Sequence, residues 1–160
     1  MVNKHEPHVF VLPEDDANSR VANAFHKDVD WNRYRQMKVL AEAGGWSQVL
    51  MCFKRDQVAG MEKWPHRFMV LLIDFDGKHE RLSNAKAEIP AHLTERVFIL
   101  GALTEPEDLR KAKLGSYEAI GKAMADDCRE DANTTWGHDL LRHNAGELDR
   151  LREHVRRILF

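Results

Sequence analysis

Asp74 and Asp76 stand one residue apart in MVLLIDFDGK (residues 69–78), directly after five consecutive apolar residues. Packing alone does not call for carboxylates at the exit of an apolar run. A second acidic turn, LPEDDAN (residues 12–18), closes another apolar run and adds Glu14, Asp15 and Asp16. If two strands of one sheet deliver both turns to one edge, up to five carboxylates meet there. Each like-charged pair at ~4 Å costs about 4 kcal/mol at an effective dielectric near 20. Such a cluster persists only if protons, arginines or a divalent cation offset it. Oxygen ligands with room for water suit Mg²⁺ or Mn²⁺ better than zinc. In a strand, Asp74 and Asp76 project to the same side because side chains alternate, and Gly77 lets the backbone turn sharply. The plainer alternative is that these aspartates cap the next helix or make turn hydrogen bonds. Lys78 and Arg81, beside the acidic turn, are the candidate substrate-binding residues.

The elements that must position these residues are short and apolar. HVFVL (8–12), RFMVLLID (67–74) and RVFILGAL (96–103) are each closed by turn residues and read as buried strands. A weaker fourth, QMKVLAEA (36–43), ends at Gly44-Gly45. Helical patterns separate them at 16–28, at 46–62 and at 79–88. In the second of these, Trp46, Val49, Leu50, Phe53 and Met61 fall on one side. The alternation predicts an α/β fold with a central, mostly parallel four-stranded sheet flanked by helices. Ligands of such sheets collect at the carboxyl ends of the strands. Beyond residue 104 only helical patterns remain, and Leu148, Leu151, Val155, Ile158 and Leu159 predict a helix face packed on the sheet. One domain over 1–160 is expected, with a core at 8–103 and a helical C-terminal third at 104–160.

The chain has 160 residues and a formal net charge of −2. That charge excludes a global field that recruits nucleic acid or anionic membrane. No apolar run approaches the ~18 residues needed to span a bilayer. The start, MVNKHEPH, has no apolar leader core. Cys52 and Cys128 lie far apart without metal-ligand spacing, which suits a reducing compartment. A cytoplasmic location is expected.

An acidic residue after the first strand and DxD after a later strand resemble the Toprim domain. That domain is shared by topoisomerases, bacterial primases, OLD-family nucleases and small stand-alone nucleases. The resemblance covers roughly residues 8–103 and implies a Rossmann-like Toprim fold. It also implies a Mg²⁺- or Mn²⁺-dependent phosphodiester hydrolase acting on DNA or RNA. On this resemblance Asp74 and Asp76 are the metal ligands, and Glu14 is a general base on water or a further ligand. Glu118, in LGSYEAIG, resembles the later-helix acid of OLD-type members, and GGW (44–46) resembles the glycine after the second strand. In the family a glycine usually follows the glutamate, and here Asp15 does, so Asp15 and Asp16 stay open as the key acid. Tyr34 and Tyr117 lack the context of a nucleophile, which favours a hydrolase over a topoisomerase.

DFDG is also similar to the first motif of haloacid-dehalogenase-type phosphatases, in which Asp74 would be the nucleophile. Lys78 departs from that motif, and two strands precede it. A phosphatase using Asp74 stays open, as does a non-catalytic Toprim-like module that binds a protein partner. A homo-oligomer is open too.

Other features have plainer expectations. His138 and His143 are off one helical face and suit structural or solvent roles. His79 is expected at the surface. Arg150, Arg152, Arg156 and Arg157 are expected to pair with Glu147, Asp149 and Glu153 on a solvated face. Trp31, Trp46, Trp64 and Trp136 are expected to pack rather than to stack bases.

Overall fold

The computed structural model describes residues 1–160. Strands β1 (His8–Pro13), β2 (Met37–Val39), β3 (Arg67–Leu72) and β4 (Val97–Leu100) form one all-parallel sheet in the order β2-β1-β3-β4. The helices are α1 (Asp16–Lys27), α2 (Trp46–Cys52), α3 (Val58–Lys63), α4 (Glu80–Ala87), α5 (Pro106–Lys111), α6 (Tyr117–Glu130), α7 (Ala145–His154) and α8 (Arg156–Leu159). None is long and apolar enough to cross a membrane.

The strands are apolar without alternation because both sheet faces are covered. Val9, Val11, Val70, Phe98 and Leu100 join one core with residues of α1, α6, α7 and α8. Phe10, Leu12, Met69, Leu71, Val97 and Ile99 join a second core under α2, α3 and α4. Leu109, Ile120, Met124, Trp136, Leu148 and Leu151 all belong to the first core. Residues 104–160 thus supply most of the cover of one sheet face, with the face of Leu148, Leu151, Val155, Ile158 and Leu159 turned into that core.

Several boundaries differ from expectation, among them the strand at 67–74, which ends at Leu72. The weak strand at 36–43 shortens to Met37–Val39 at the sheet edge. The strand at 96–103 stops at Leu100, because Gly101 bends the chain at φ +158° against Ile73. The helix at 46–62 contains a π-helical turn at Phe53–Gln57. A π turn acts as one inserted residue and rotates the next helical turn by about 100°. That rotation brings Met61 into line with Val49 and Phe53, and all three are fully buried.

Edge strand β4 is capped by side chains rather than by another strand. Ile99 N–H donates to Glu147 Oε2 (3.0 Å), and Gly101 N–H donates to Asn144 Oδ1 (3.1 Å). Asn144 Nδ2 returns a bond to Gly101 O (2.9 Å). Exposed edge groups would otherwise template pairing with other chains.

The arginines of the last helices also differ from expectation. Arg150 does pair with Glu147 (2.9 Å). Arg152 and Arg156 instead reach the carbonyls of Cys128, Arg129 and Ala132 at the end of α6. These are carbonyls that a helix end leaves without intrahelical partners, so Asp149 and Glu153 are not the partners. Arg157 makes no ion pair within the chain.

Helices α1 and α6 approach closely at Gly121. A Cβ there would lie 2.3 Å from Val21 O and 2.6 Å from Ala24 Cβ. Both neighbours are fixed by α1, so Gly121→Ala should cost about 3 kcal/mol, the upper range for overpacking. Urea denaturation should show a lower midpoint with an unchanged slope.

Candidate functional site

Both acidic turns lie at the carboxyl end of the sheet, because β1 and β3 are adjacent, parallel and paired from His8↔Arg67 to Pro13↔Leu72. The chain continues the ladder one step, with Glu14 N–H donating to Leu72 O (2.9 Å). The Glu14 side chain then turns across to β3. Its Oε2 accepts from the backbone N–H of Asp74 at 2.7 Å. Glu14 and Asp74 are only 8% and 7% exposed. Asn18, one turn into α1, ties the acids together. Its Nδ2 donates to Asp15 Oδ1 (2.9 Å) and to Asp74 Oδ1 (2.8 Å).

Burial is the main electrostatic influence on this pair. It pushes Asp74 from its ordinary 3.8 up to about 7, with Asp15 and Glu14 adding repulsion and Asn18 opposing. Burial also raises Glu14, and the Asp74 N–H bond partly offsets it. Two buried carboxyls side by side, each holding its proton more tightly than in water, mark a site deficient in positive charge.

Asp15 stays beside the pair with a second role, and the other candidate acids are engaged elsewhere. Asp15 is the N-cap of α1, accepting from Asn18 N–H (3.0 Å), which is the capping role weighed for these acids. Asp16 begins the helix on its exposed side. Asp76 does not share a strand face with Asp74, because β3 ends at Leu72. Asp76 (φ +49°) and Gly77 (φ +74°) are instead the central residues of a tight turn closed by Lys78 N–H to Phe75 O (2.8 Å). Positive φ at both positions defines a type I′ turn, for which Asp-Gly is a preferred pair. The Asp76 side chain is 51% exposed and pairs with Arg81 at 2.9 Å. Glu118 lies on the outer surface of α6, bonded to Arg20 (3.0 Å).

Of the two candidate cations, Lys78 is exposed on the turn without an ion-pair partner. Arg81 is buried and committed: it donates to Asp74 O (2.6 Å), pairs with Asp76 and lies over the Trp46 ring (5.0 Å). It is thereby a brace of the turn rather than a free substrate contact.

Sequence reasoning missed Asn18 and gave His143 a structural or solvent role. Asn18 carries no motif, and only the turn of α1 brings it between two acids. His143 packs edge-on to Phe75 (4.7 Å) and lies 6.2 Å from His79. Burial lowers its pKa, with His79 adding to the effect.

Of the five candidate acids, Glu14 and Asp74 are buried together at this edge, with Asp15 touching Asp74 from the start of α1. No three His, Cys, Asp or Glu side chains form a metal-binding group. Glu14 Oε1 makes no hydrogen bond within the chain, while the Asp74 carboxyl meets the Asp15 carboxyl as well as Asn18. Mg²⁺ is commonly bound by one or two carboxylates plus waters and substrate phosphates, and this pair fits that mode. Family models, curated proteins and solved structures give no match to this chain.

Proposed function

We propose that this protein is a Mg²⁺- or Mn²⁺-dependent phosphodiester hydrolase of Toprim type, acting on nucleic acid through Glu14 and Asp74. The observation that carries the reading is the buried carboxyl pair at the carboxyl end of the sheet, joined by the 2.7 Å bond from Asp74 N–H to Glu14 Oε2. A cation held there would neutralise the pair and polarise a phosphate oxygen. Asn18 fixes the Asp74 carboxyl, and the Asp74 backbone fixes Glu14. If Asp74 alone holds the cation, the free oxygen of Glu14 is the candidate acceptor for a proton from water; if Glu14 is a further ligand, the cation itself would acidify the bound water. Lys78, on the rigid turn, is the candidate phosphate contact. Arg81 occupies the Asp76 carboxylate, so in this reading Asp76 shapes the turn and is not a ligand.

The test couples binding to cleavage. Millimolar Mn²⁺ should raise the melting temperature of the wild type, since a ligand at a hundred times its dissociation constant adds about 2.7 kcal/mol. Glu14→Gln should remove both that shift and cleavage of plasmid or single-stranded substrate. No melting shift and no cleavage in the wild type would sink the reading. The Arg81–Asp76 pair favours one alternative, a non-catalytic Toprim-like module that binds a protein partner. It expects unchanged melting with Mn²⁺.

A further inference from the structure

At the opposite end of the sheet lies a basic groove that the acidic site does not use. Pro7, Gln36 and His66, which line it, immediately precede β1, β2 and β3. Six-residue strands separate it from Glu14 and Asp74 by ~20 Å. Its volume is about 530 Å³, and Arg33, His66, His154 and Arg157 line it against one acid, Glu6. Arg33 and Arg157 make no hydrogen bond or ion pair through their side chains, unlike Arg150, Arg152 and Arg156. Two unpaired guanidiniums in one concavity form a recognition site for oxyanions.

The loop that supplies Arg33 also presents aromatic surface. Trp31 is 90% exposed and Tyr34 47% exposed, so packing is not the role of Trp31. The loop is ordered, with Val29 buried in the core beside it. Asp30 N–H donates to Leu159 O (3.3 Å) and Arg33 N–H to Asp30 O (2.8 Å). Tyr34 stacks on His26 at 4.0 Å and remains 47% exposed. An indole held in water by a tied-down turn has no folding benefit, because apolar surface is stabilising only when buried.

We infer that Trp31, Tyr34, Arg33 and Arg157 form a binding surface for single-stranded nucleic acid. Unpaired cations match the phosphates, and exposed rings match bases whose faces are free. A duplex hides those faces, which is why the single strand is the fitting partner. The surface lies remote from the acidic pair, so it stands whether or not that pair cleaves.

The test is fluorescence anisotropy of labelled 15-mer oligo-dT and oligo-rU with the full chain in EDTA, where cation-dependent cleavage is silent. Trp31→Ala should weaken binding about fivefold or more, and Trp31→Phe should retain most of it. Arg33→Glu with Arg157→Glu should weaken it at least tenfold. Neutral Arg33→Gln with Arg157→Gln should flatten the slope of log K against log salt by about 1.4, the loss of two phosphate contacts. All these side chains are exposed, so melting temperatures should hold. No oligonucleotide binding at 50 mM salt, or affinities unchanged in every variant, would overturn the inference. So would binding of polyglutamate, sensitive to the same variants, without oligonucleotide binding; that result assigns the surface to an acidic protein.

Discussion

Asp74→Asn should abolish cation-dependent cleavage while making the protein more stable above neutral pH. The two effects share one cause. Asp74 is buried and its carboxyl is pushed up to about 7, so folding favours its protonated form. The native state therefore binds more protons than the unfolded chain between the ordinary value of 3.8 and about 7. Stability contributed by this group is complete below the unfolded value and is lost as pH rises through the folded one. The full loss is on the order of 4 kcal/mol at 1.36 kcal/mol per unit. An asparagine has the same shape, accepts the same bond from Asn18 and carries no charge to desolvate. The variant's denaturation midpoint should fall less from pH 5 to pH 8 than the wild type's, the remaining fall coming from Glu14, whose carboxyl burial also pushes up.

The proposed catalysis should move the other way. A neutral amide holds a divalent cation poorly, and the loss should reach about a thousandfold, within the range for removing a positioned acid or base. Millimolar Mn²⁺ should also reduce the pH dependence of the wild type and leave that of the variant unchanged. Gain of stability with loss of activity is the pattern of a site held against its own folding preference. A variant that lost stability at every pH, with cleavage intact, would show that Asp74 is a packing residue.

Gly101→Ala should prevent the chain from reaching its native state. A Cβ at this position would lie 1.6 Å from Ile73 O and 2.8 Å from Ile73 C, both main-chain atoms. The backbone there is also at φ +158°, a conformation that favours glycine. Relief would require β3 and β4 to part where Ile73 N–H donates to Leu100 O (2.9 Å). It would also break the paired bonds between Gly101 and Asn144. Typical overpacking costs about 1–3 kcal/mol when side chains yield, and no flexible atom is available to yield here. The cost should approach the whole stability of an ordinary domain, about 5–15 kcal/mol. Insoluble expression, or loss of the cooperative unfolding transition, is the expected result. A soluble variant with wild-type melting would disprove the close approach.

Several features of this protein were decided locally and are therefore visible in the sequence. Unbroken apolar runs such as MVLLI, alternating with helical patterns, specify a sheet buried on both faces, because a half-exposed strand would show period two. The acidic turns come after two such runs, and parallel strands carry their ends to the same edge. Their meeting at Glu14 and Asp74 was thus within reach of sequence reasoning.

The part each acid plays there was not. Asp74 and Asp76 look equivalent in the sequence, yet one ends buried and the other turns outward, because Asp-Gly adopts a positive-φ turn that reverses the chain. Arg81 reads as a free cation until the start of α4 is folded back onto Asp74 O. Asn18 and Trp31 have no signal in their neighbours. One is selected by the turn of α1 that sets it between two carboxylates, and the other by a loop that Val29 anchors while Trp31 stays in water. Burial, the source of the raised carboxyl pKa values, is a property of the packed molecule. Spacing along the chain records which residues come near, and only tertiary structure sets which of their atoms remain free.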